Sequence, residues 1–176
     1  MTIPVRAPRE RALVALGGNV GDRLGFLRFA RRGAAAIADS EVLAASAVYE
    51  TAPVGGPPQG PYLNAALLLS TGLSPHALLD ALALLETRAG RARDVADGPR
   101  TLDLDLLLYG DRIVDDPRLV VPHPRFASRA FVLLPAADVA PDLQVPGLRG
   151  RTVSELLGAL TTLDGATRVL PPESWS

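Results

Sequence analysis

The chain has 176 residues, of which 48% are hydrophobic and 21% are charged, and its net charge is −1. This globular composition is sufficient for a hydrophobic core, and the near-neutral charge disfavours a general nucleic-acid binder, which usually has a strongly basic face. The sequence contains no cysteine, two histidines and no lysine, which excludes thiol chemistry, a multi-histidine metal site and any mechanism that needs a lysine.

The N-terminal segment lacks the apolar core of a signal peptide, and no stretch approaches the about 18 uninterrupted apolar residues of a membrane span. We therefore expect a cytoplasmic protein. Residues 1–9 predict a loose N-terminal tail, and residues 10–176 predict a single domain. At this size, with no second domain apparent, we expect a monomer.

Apolar periodicity in the first half of the chain alternates between strand and helix patterns. Predicted strands cover Arg11–Leu16, Val42–Glu50 and Tyr62–Thr71, and predicted helices cover Asp22 to about Ala38 and Pro75 to about Gly90. The loop over 52–61 contains four prolines and three glycines. It separates the second and third strands, because such a segment cannot join a hydrogen-bonded ladder.

The second half begins with a charged loop over Arg91–Arg100. The pattern then predicts a strand over Thr101–Tyr109, a turn back along it over Asp111–Val114, a helix over Phe126–Val139 interrupted near Pro135, and a last helix from Thr152 to about Leu160. The order β-α-β-β-α-β predicts an α+β fold with a ferredoxin-like split βαβ core, in which helices cover a mainly antiparallel sheet, with C-terminal additions. Many functions use this arrangement, so the function must be argued from the site.

Two acidic residues in the predicted strand Thr101–Tyr109, Asp103 and Asp105, form the sharpest local pattern. Because strand side chains alternate, both carboxylates point to one face of the sheet and the intervening leucine points to the other. They lie about 6–7 Å apart along the strand, which suits two Mg²⁺ ions bridged by a phosphate chain at about 3.5–4 Å separation. The alternative is an edge strand with one solvent-exposed face, where aspartates are ordinary.

Arginines in the preceding loop supply the opposite charge. Arg91, Arg93 and Arg100 come shortly before the two aspartates. A guanidinium group binds phosphate oxygens in a bidentate manner, so arginines beside paired acids suit a metal-bound triphosphate. The alternative is a solvated loop whose arginines pair with Asp94, Asp97 and the strand acids. Glycines and a proline at the ends of this loop would allow it to close over a nucleotide.

Further candidate binding residues lie on both sides of this region. Tyr62 offers an aromatic face, and Asn64 offers one acceptor and two donors, which suit a heteroaromatic ring with amide-like edges. The more common explanation is a tyrosine at the edge of the core and an asparagine at a strand start. His123 stands between prolines and is held rigidly, Arg129 lies near the first turn of its predicted helix, and Phe131 by itself indicates a core position.

Six motifs occur in the order found in a known family. They cover Ala15–Asp22, Tyr49–Pro53, Tyr62–Ala65, Gly90–Arg93, Gly98–Asp105 and Val121–Arg125. Through them the chain resembles, over about residues 11–143, the 6-hydroxymethyl-7,8-dihydropterin pyrophosphokinases of the folate pathway. The block Gly-Pro-Arg-Thr-Leu-Asp-Leu-Asp is highly specific to that family.

The resemblance implies transfer of the β,γ-diphosphate of ATP to the pterin hydroxymethyl oxygen, giving AMP and the pterin diphosphate. It implies that Asp103 and Asp105 hold two Mg²⁺ ions and that Arg91 and Arg100 stabilise the transferring group. The implied pterin site comprises Thr51, Pro53, Val54, Tyr62, Asn64 and Phe131, and the implied ATP site comprises Leu79, Glu86, Arg91, Arg93, Arg100, Leu106, His123 and Arg129. The implied partners are these two small molecules, with no nucleic acid or membrane.

The chain departs from the family pattern at a few positions. Asp97 stands where a tryptophan is frequent, in a loop that is one residue shorter, and Gly18, Ala83 and Pro124 replace a common serine, a glutamine and a tyrosine. None of them belongs to the metal or arginine set, so we expect them to affect affinity rather than activity. Another Mg²⁺-dependent nucleotidyl or phosphoryl transferase on the same fold is the alternative, and it would bind ATP without binding a pterin.

Overall fold

The computed structural model describes residues 8–91, 98–163 and 165–176, so most of the predicted N-terminal tail lies outside the described residues. The strands are β1 (Glu10–Gly18), β2 (Ser40–Ala45), β3 (Val48–Thr51), β4 (Tyr62–Thr71), β5 (Asp103–Tyr109), β6 (Val114–Asp115), β7 (Val120–Val121) and β8 (Thr167–Leu170). The α-helices are α1 (Arg23–Ala35), α2 (Pro75–Arg88), α3 (Ala130–Val139) and α4 (Val153–Gly158), and 3-10 helices cover Phe126–Ser128 and Pro172–Trp175.

The main sheet is antiparallel and has the strand order β5-β1-β4-β3-β8, with β2 also paired to β4. The core elements follow one another as β-α-β-β-α-β when β2 and β3 are taken together, and helices cover the sheet. The α+β fold predicted from the sequence is therefore confirmed. Within the described ranges, no helix combines the length and the apolar character required to cross a bilayer.

Alternation along β1 divides the apolar core into two layers. Val14 and Leu16 pack in a cluster with residues of α1 and α2, whereas Leu13 packs in a second cluster with residues of α3 and α4. The pairing of β1 with β5 shifts register between Leu13 and Val14, and Leu107 and Leu108 of β5 both join the second cluster. The aspartates of β5 lie in the part of this strand that precedes the shift.

The predicted strand Val42–Glu50 is wrong in one respect, because the chain forms two strands separated at Ser46 and Ala47. The Ser46 N–H donates to the Ala66 carbonyl at 2.9 Å, and the Ser46 hydroxyl accepts from the Ala66 N–H at 2.8 Å. The Ala47 N–H donates to the Asp138 carboxylate at 3.1 Å. Side chains thus replace part of the regular ladder, which allows the strand to break without unsatisfied backbone groups.

Two boundaries and one strand pairing also differ from the prediction. The predicted helix Phe126–Val139 is interrupted at Arg129, whose backbone is extended, and not near Pro135. Pro135 lies inside the continuous helix α3. Burial of this helix against the sheet offsets the loss of the backbone hydrogen bond that proline cannot donate. Strand β5 begins at Asp103 rather than Thr101. Strand β6 pairs with β7 and does not return along β5, since other groups contact the outer edge of β5, as described below.

The C-terminal additions include a strand that the sequence pattern did not predict. Strand β8 pairs with β3 at the edge of the sheet, and its residues are exposed except for the half-buried Leu170. An exposed edge strand has no apolar stripe, which is why its periodicity was uninformative. The following segment ends at Trp175, which is completely buried.

Candidate active site

One row of paired residues crosses the sheet at the end where most of the predicted site residues meet. Gly17 of β1 pairs with Asp103 of β5 on one side and with Asn64 of β4 on the other, and Asn64 pairs with Tyr49 of β3. Directly paired residues in antiparallel strands point to the same face. A Cβ atom at Gly17 would lie 3.1 Å from the Asn64 Oδ1 atom, so glycine leaves open the space between the aspartate and the asparagine.

Asp103 lies between two arginines that flank the 92–97 segment. Its Oδ1 atom is 2.6 Å from the Arg91 Nη1 atom, and its Oδ2 atom is 2.7 Å from the Arg100 Nη1 atom. Arg91 also forms an ion pair with Glu86. The side chains of this cluster are largely shielded from solvent, so the charges interact more strongly than a surface ion pair would.

Helix α2 positions Glu86 through its apolar face. Leu78, Leu82 and Leu85 recur at helical spacing and are buried against the sheet, and Glu86 follows them with only 4% of its surface exposed. The Glu86 Oε1 atom accepts a hydrogen bond from the Leu104 N–H at 2.7 Å. The buried carboxylate therefore satisfies the outer edge of β5 and also binds Arg91.

Asp105 and His123 occupy the adjacent part of the cleft. Burial raises the pKa of Asp105, and repulsion from Asp103 raises it further, against the opposing effects of His123 and the two arginines. Burial lowers the pKa of His123, although Asp105 opposes that change. The His123 N–H donates to the Leu107 carbonyl at 2.9 Å, which fixes this segment along the outer edge of β5. A cation beside Asp105 would relieve the repulsion between the carboxylates.

Two clefts open on either side of this cluster. The first lies over the sheet face next to α3 and is lined by residues that include Thr51, Ala52, Val54, Gln59, Tyr62, Asn64, Arg129 and Phe131. The second lies between α2 and β5 and is lined by residues that include Leu79, Ala83, Glu86, Arg91 and Leu104. Both clefts are lined by Arg100, Asp103, Asp105, His123 and Arg125. The acidic pair is therefore accessible from both sides.

The floor of the first cleft is held by neutral hydrogen bonds. The Asn64 amide donates to the Thr51 hydroxyl at 2.8 Å, which orients the asparagine side chain. The Gln59 Oε1 atom accepts from the Tyr62 hydroxyl at 3.0 Å and from the Asn19 amide at 2.9 Å. These bonds connect the proline-rich loop to β1 and β4 and hold Tyr62 at the cleft.

Asn19 also fixes the backbone of Arg100. Its side-chain oxygen accepts from the Arg100 N–H at 2.9 Å, and its own N–H donates to the Arg100 carbonyl at 3.0 Å. This approach requires Gly18, because a Cβ atom there would lie 2.3 Å from the Thr101 carbonyl oxygen. Neither Asn19 nor Gln59 lies in a sequence pattern that by itself predicts this function. The sequence feature that could have pointed to Asn19 is the Gly17-Gly18-Asn19 turn after β1. Asparagine is common in turns because its side chain bonds to nearby backbone, so this feature does not by itself indicate a contact with Arg100.

The structure brings most of the predicted site residues to these clefts, but not all of them. Leu106 is buried in the core beside α2 and lines neither cleft. Pro53 lies between the cleft residues Ala52 and Val54 without lining the cleft itself. The Arg129 guanidinium carbon lies 5.4 Å from the centre of the Phe131 ring, on the side of the first cleft. Arg93 and Asp97 lie outside the described residues.

Comparison with known proteins identifies the family. The family model of 7,8-dihydro-6-hydroxymethylpterin-pyrophosphokinase (HPPK) matches residues 13–141. The 2-amino-4-hydroxy-6-hydroxymethyldihydropteridine pyrophosphokinase of Pseudomonas aeruginosa is 43% identical over 150 residues, which cover 85% of this chain and 91% of that protein. The protein of the same name from Bacillus subtilis is 40% identical over 144 residues, which cover 82% of this chain and 86% of that protein.

A solved structure has a similar fold. The Plasmodium falciparum HPPK-DHPS structure with pterin and p-hydroxybenzoate matches with a TM-score of 0.67 at 14% identity and covers 88% of this chain. This chain spans 43% of that solved chain, and the likeness at this identity supports the fold alone. From the family match and the relatives of at least 40% identity, the chain belongs to the 7,8-dihydro-6-hydroxymethylpterin-pyrophosphokinase family.

Proposed function

We propose that this protein transfers the β,γ-diphosphate of ATP to the hydroxymethyl oxygen of 6-hydroxymethyl-7,8-dihydropterin in folate biosynthesis, giving AMP and the pterin diphosphate. Family membership supports the reaction. The observation that carries the proposal is that two clefts meet at one acidic and arginine-containing cluster, Arg100 with Asp103 and Asp105. This arrangement suits two substrates that must place one phosphate chain between them.

The first cleft suits the pterin. Asn64 presents amide donor and acceptor groups at its floor, and its orientation is set by Thr51. Tyr62 and Phe131 both line the cleft, and aromatic rings there can stack on a flat heterocycle. Val54 is 69% exposed beside them and would lose contact with water when a ligand binds. Thr51, Pro53 and Val54 complete the proposed pterin site.

The second cleft suits the nucleotide. Leu79 provides an apolar surface on α2, while Glu86 and His123 lie toward the acidic pair. We assign Arg91, Arg93, Arg100, His123 and Arg129 to the phosphate side of ATP and Leu79 and Leu106 to its base side. Leu106 would act through the packing beneath the cleft, because it is buried in the core.

The donor set around Asp103 and Asp105 fits magnesium. Among the described residues, no group of three or more His, Asp or Glu side chains is arranged to hold a metal ion. Mg²⁺ needs fewer protein ligands, because it is commonly bound through one or two carboxylates together with substrate phosphates and water. The raised pKa of Asp105 reflects burial and unrelieved repulsion from Asp103, which a divalent cation would offset. We propose two Mg²⁺ ions here, which would offset negative charge on the phosphate chain when bound.

The chain's own residues would act mainly by positioning. The pterin hydroxyl oxygen forms a bond to the β-phosphorus, the bond from that phosphorus to the α,β-bridging oxygen breaks, AMP leaves with the electron pair, and the hydroxyl proton passes to solvent. Such a transfer needs alignment and charge stabilisation rather than a covalent nucleophile. Arg91 and Arg100 now contact Asp103, and the transferring phosphates would compete for the same guanidinium groups.

We propose a cytoplasmic enzyme that acts as a monomer, formed by one domain over 10–176 after a loose tail over 1–9. Residues of one chain line both clefts, so the proposed site is complete without a second copy.

The decisive test follows nucleotide products. We expect the wild-type protein with ATP, Mg²⁺ and 6-hydroxymethyl-7,8-dihydropterin to form AMP and the pterin diphosphate in equal amounts, as measured by chromatography. Omission of the pterin should stop AMP formation. ADP as the product, or equal ATP turnover without the pterin, would contradict the proposal and favour another Mg²⁺-dependent phosphoryl or nucleotidyl transferase.

A further inference from the structure

Arg125 occupies a position that the proposed function does not yet use. It is one of the residues that line both clefts, together with Arg100, Asp103, Asp105 and His123. The other four already have proposed functions in phosphate or metal binding. A group that passes from the nucleotide cleft to the pterin cleft must pass through the region that these residues share.

The charge of Arg125 is available in a way that those of its neighbours are not. Arg91 and Arg100 contact Asp103, and Arg129 lies over the Phe131 ring. Among the residues that the structure describes, none forms an ion pair or a hydrogen bond with the Arg125 guanidinium group. An unpaired guanidinium group can bind a phosphate without first losing a carboxylate partner.

The backbone of Arg125 is tied to the site. Its N–H donates to the His123 Nδ1 atom at 3.3 Å, and the His123 N–H donates to the Leu107 carbonyl of β5 at 2.9 Å. Arg125 also lowers the pKa of His123, although burial is the larger cause, which places its positive charge near this ring. The side chain therefore extends from a backbone segment anchored to the strand that bears the aspartates.

We propose that Arg125 is a phosphate-binding residue that contacts the β,γ-diphosphate where the two clefts meet. This inference rests on the proposed function. It goes beyond it by adding a cation that the sequence motifs left unassigned and by specifying which part of ATP this cation binds. Arg125 would act on the transferring group and leave the AMP portion to the second cleft.

Calorimetric titration of Arg125→Ala, Arg125→Lys and wild type tests this assignment in the presence of Mg²⁺. The ligands are an ATP analogue with a methylene group at the α,β-bridge, and AMP. We expect Arg125→Ala to weaken binding of the analogue about 10- to 100-fold, the usual effect of losing a charge-assisted contact, and to leave AMP binding unchanged. Arg125→Lys should lie between, because lysine keeps the charge but loses the bidentate geometry.

Arg32→Ala is the matched control, because Arg32 is an exposed residue in the last turn of α1 that lines neither cleft and its loss changes the net charge equally. Equal weakening of AMP and of the analogue by Arg125→Ala, or an Arg125→Ala protein that matches Arg32→Ala, would overturn the assignment. If the proposed function itself were wrong, the wild-type protein would form no AMP from ATP and the pterin. That result separates failure of the proposed function from failure of the Arg125 assignment.

Discussion

The two edges of the main sheet are closed in different ways. At the β5 edge, the Glu86 carboxylate accepts from the Leu104 N–H, and the His123 N–H donates to the Leu107 carbonyl. At the opposite edge, strand β8 pairs with β3. Both devices satisfy backbone groups that an open edge would expose, but the first uses side chains and single contacts whereas the second uses a strand.

The β5 edge concentrates charge. Glu86, Arg91, Arg100 and Asp103 form one shielded network, and Asp105 lies beside it with a raised pKa. Partners in such a network are exchangeable, since a phosphate can replace a carboxylate on an arginine. The arginines of this edge can therefore bind phosphate groups in place of the carboxylates that they contact now.

At the β3 edge, the C-terminal segment is held by a buried tryptophan and by hydrogen bonds from arginines. Trp175 is fully buried, its indole N–H donates to the Ser46 carbonyl at 2.8 Å, and the Arg31 guanidinium carbon lies 5.0 Å from the ring centre. Arg28 and Arg31 donate to backbone carbonyls of the segment that carries it. We infer from this difference that substitutions at the β5 edge mainly affect turnover, whereas those at the β3 edge mainly affect folding.

The largest effect on activity is expected at the β5 edge. Asp103→Ala should reduce the formation of AMP at least about 10³-fold, because it removes a proposed metal ligand and the common partner of two arginines. Steady-state assays at saturating ATP, Mg²⁺ and pterin measure this loss. Asp111→Ala, which removes an exposed acid outside both clefts, should retain full activity, and comparable activity of the two variants would contradict the site.

The largest effect on stability is expected at the β3 edge. Trp175→Ala should lower the free energy of unfolding by about 3–5 kcal/mol, because it empties a fully buried site and removes the bond to Ser46. Urea unfolding followed by far-ultraviolet circular dichroism measures the change. Trp175→Phe is the control, since it keeps most of the packing and should cost less. A wild-type unfolding curve for Trp175→Ala would show that this edge does not contribute to the fold.

Arg100→Ala tests whether Arg100, at the β5 edge, stabilises the transition state. We expect kcat to fall about 10²–10³-fold, equivalent to about 3–4 kcal/mol, if its guanidinium group contacts charge that develops during transfer. Arg100→Lys should recover part of the activity. An increase in KM for ATP with unchanged kcat would instead assign Arg100 to ground-state binding alone.

The smallest effect concerns Tyr49 on β3. Its hydroxyl donates to the Asp138 carboxylate at 3.0 Å. Burial, which is the larger cause, and this carboxylate, which is the second, together raise the pKa of Tyr49 to about 12. The stability contributed by the protonated hydroxyl is fully present below about pH 10, the unfolded pKa, and is lost as the pH rises through about 12. Tyr49→Phe should cost about 1 kcal/mol at pH 8.

The deficit of Tyr49→Phe relative to wild type should therefore shrink between about pH 10 and about pH 12. Urea unfolding of both proteins at pH 8, 10 and 11 measures it, and the titration of other groups cancels in the comparison. A deficit that does not change with pH would show that the hydroxyl and Asp138 do not interact as described.

Local patterns predicted the parts of the molecule in which neighbours along the chain decide the structure. Asp103 and Asp105 share a face because side chains alternate along a strand, and that prediction is confirmed by the half-buried aspartates and buried leucines of β5. Ser74 caps α2 at its N-terminus by accepting from the Ala77 N–H, and Thr152 and Glu155 form the capping box of α4. These features depend on residues within one helical turn or a few strand positions.

Contacts between distant segments were not predictable in this way. The break at Ser46 and Ala47 is stabilised by Asp138, which lies 91 residues after Ala47, and by Trp175, which lies 129 residues after Ser46. Asn19 gives no local sign that it will hold the backbone of Arg100. The exposed residues of β8 carry no apolar pattern, so only pairing with β3 makes them a strand.

The sequence by itself determined the residue types of the site, the alternation that presents the two aspartates, and the order of elements that yields an antiparallel α+β sheet. The tertiary structure decided which charges are partners: Glu86 from α2 and Arg91 converge on the β5 edge, and Arg125 enters the region shared by both clefts. The physical reason is that periodicity and capping act within a few residues, whereas burial and ion pairing join groups that only the folded chain brings together.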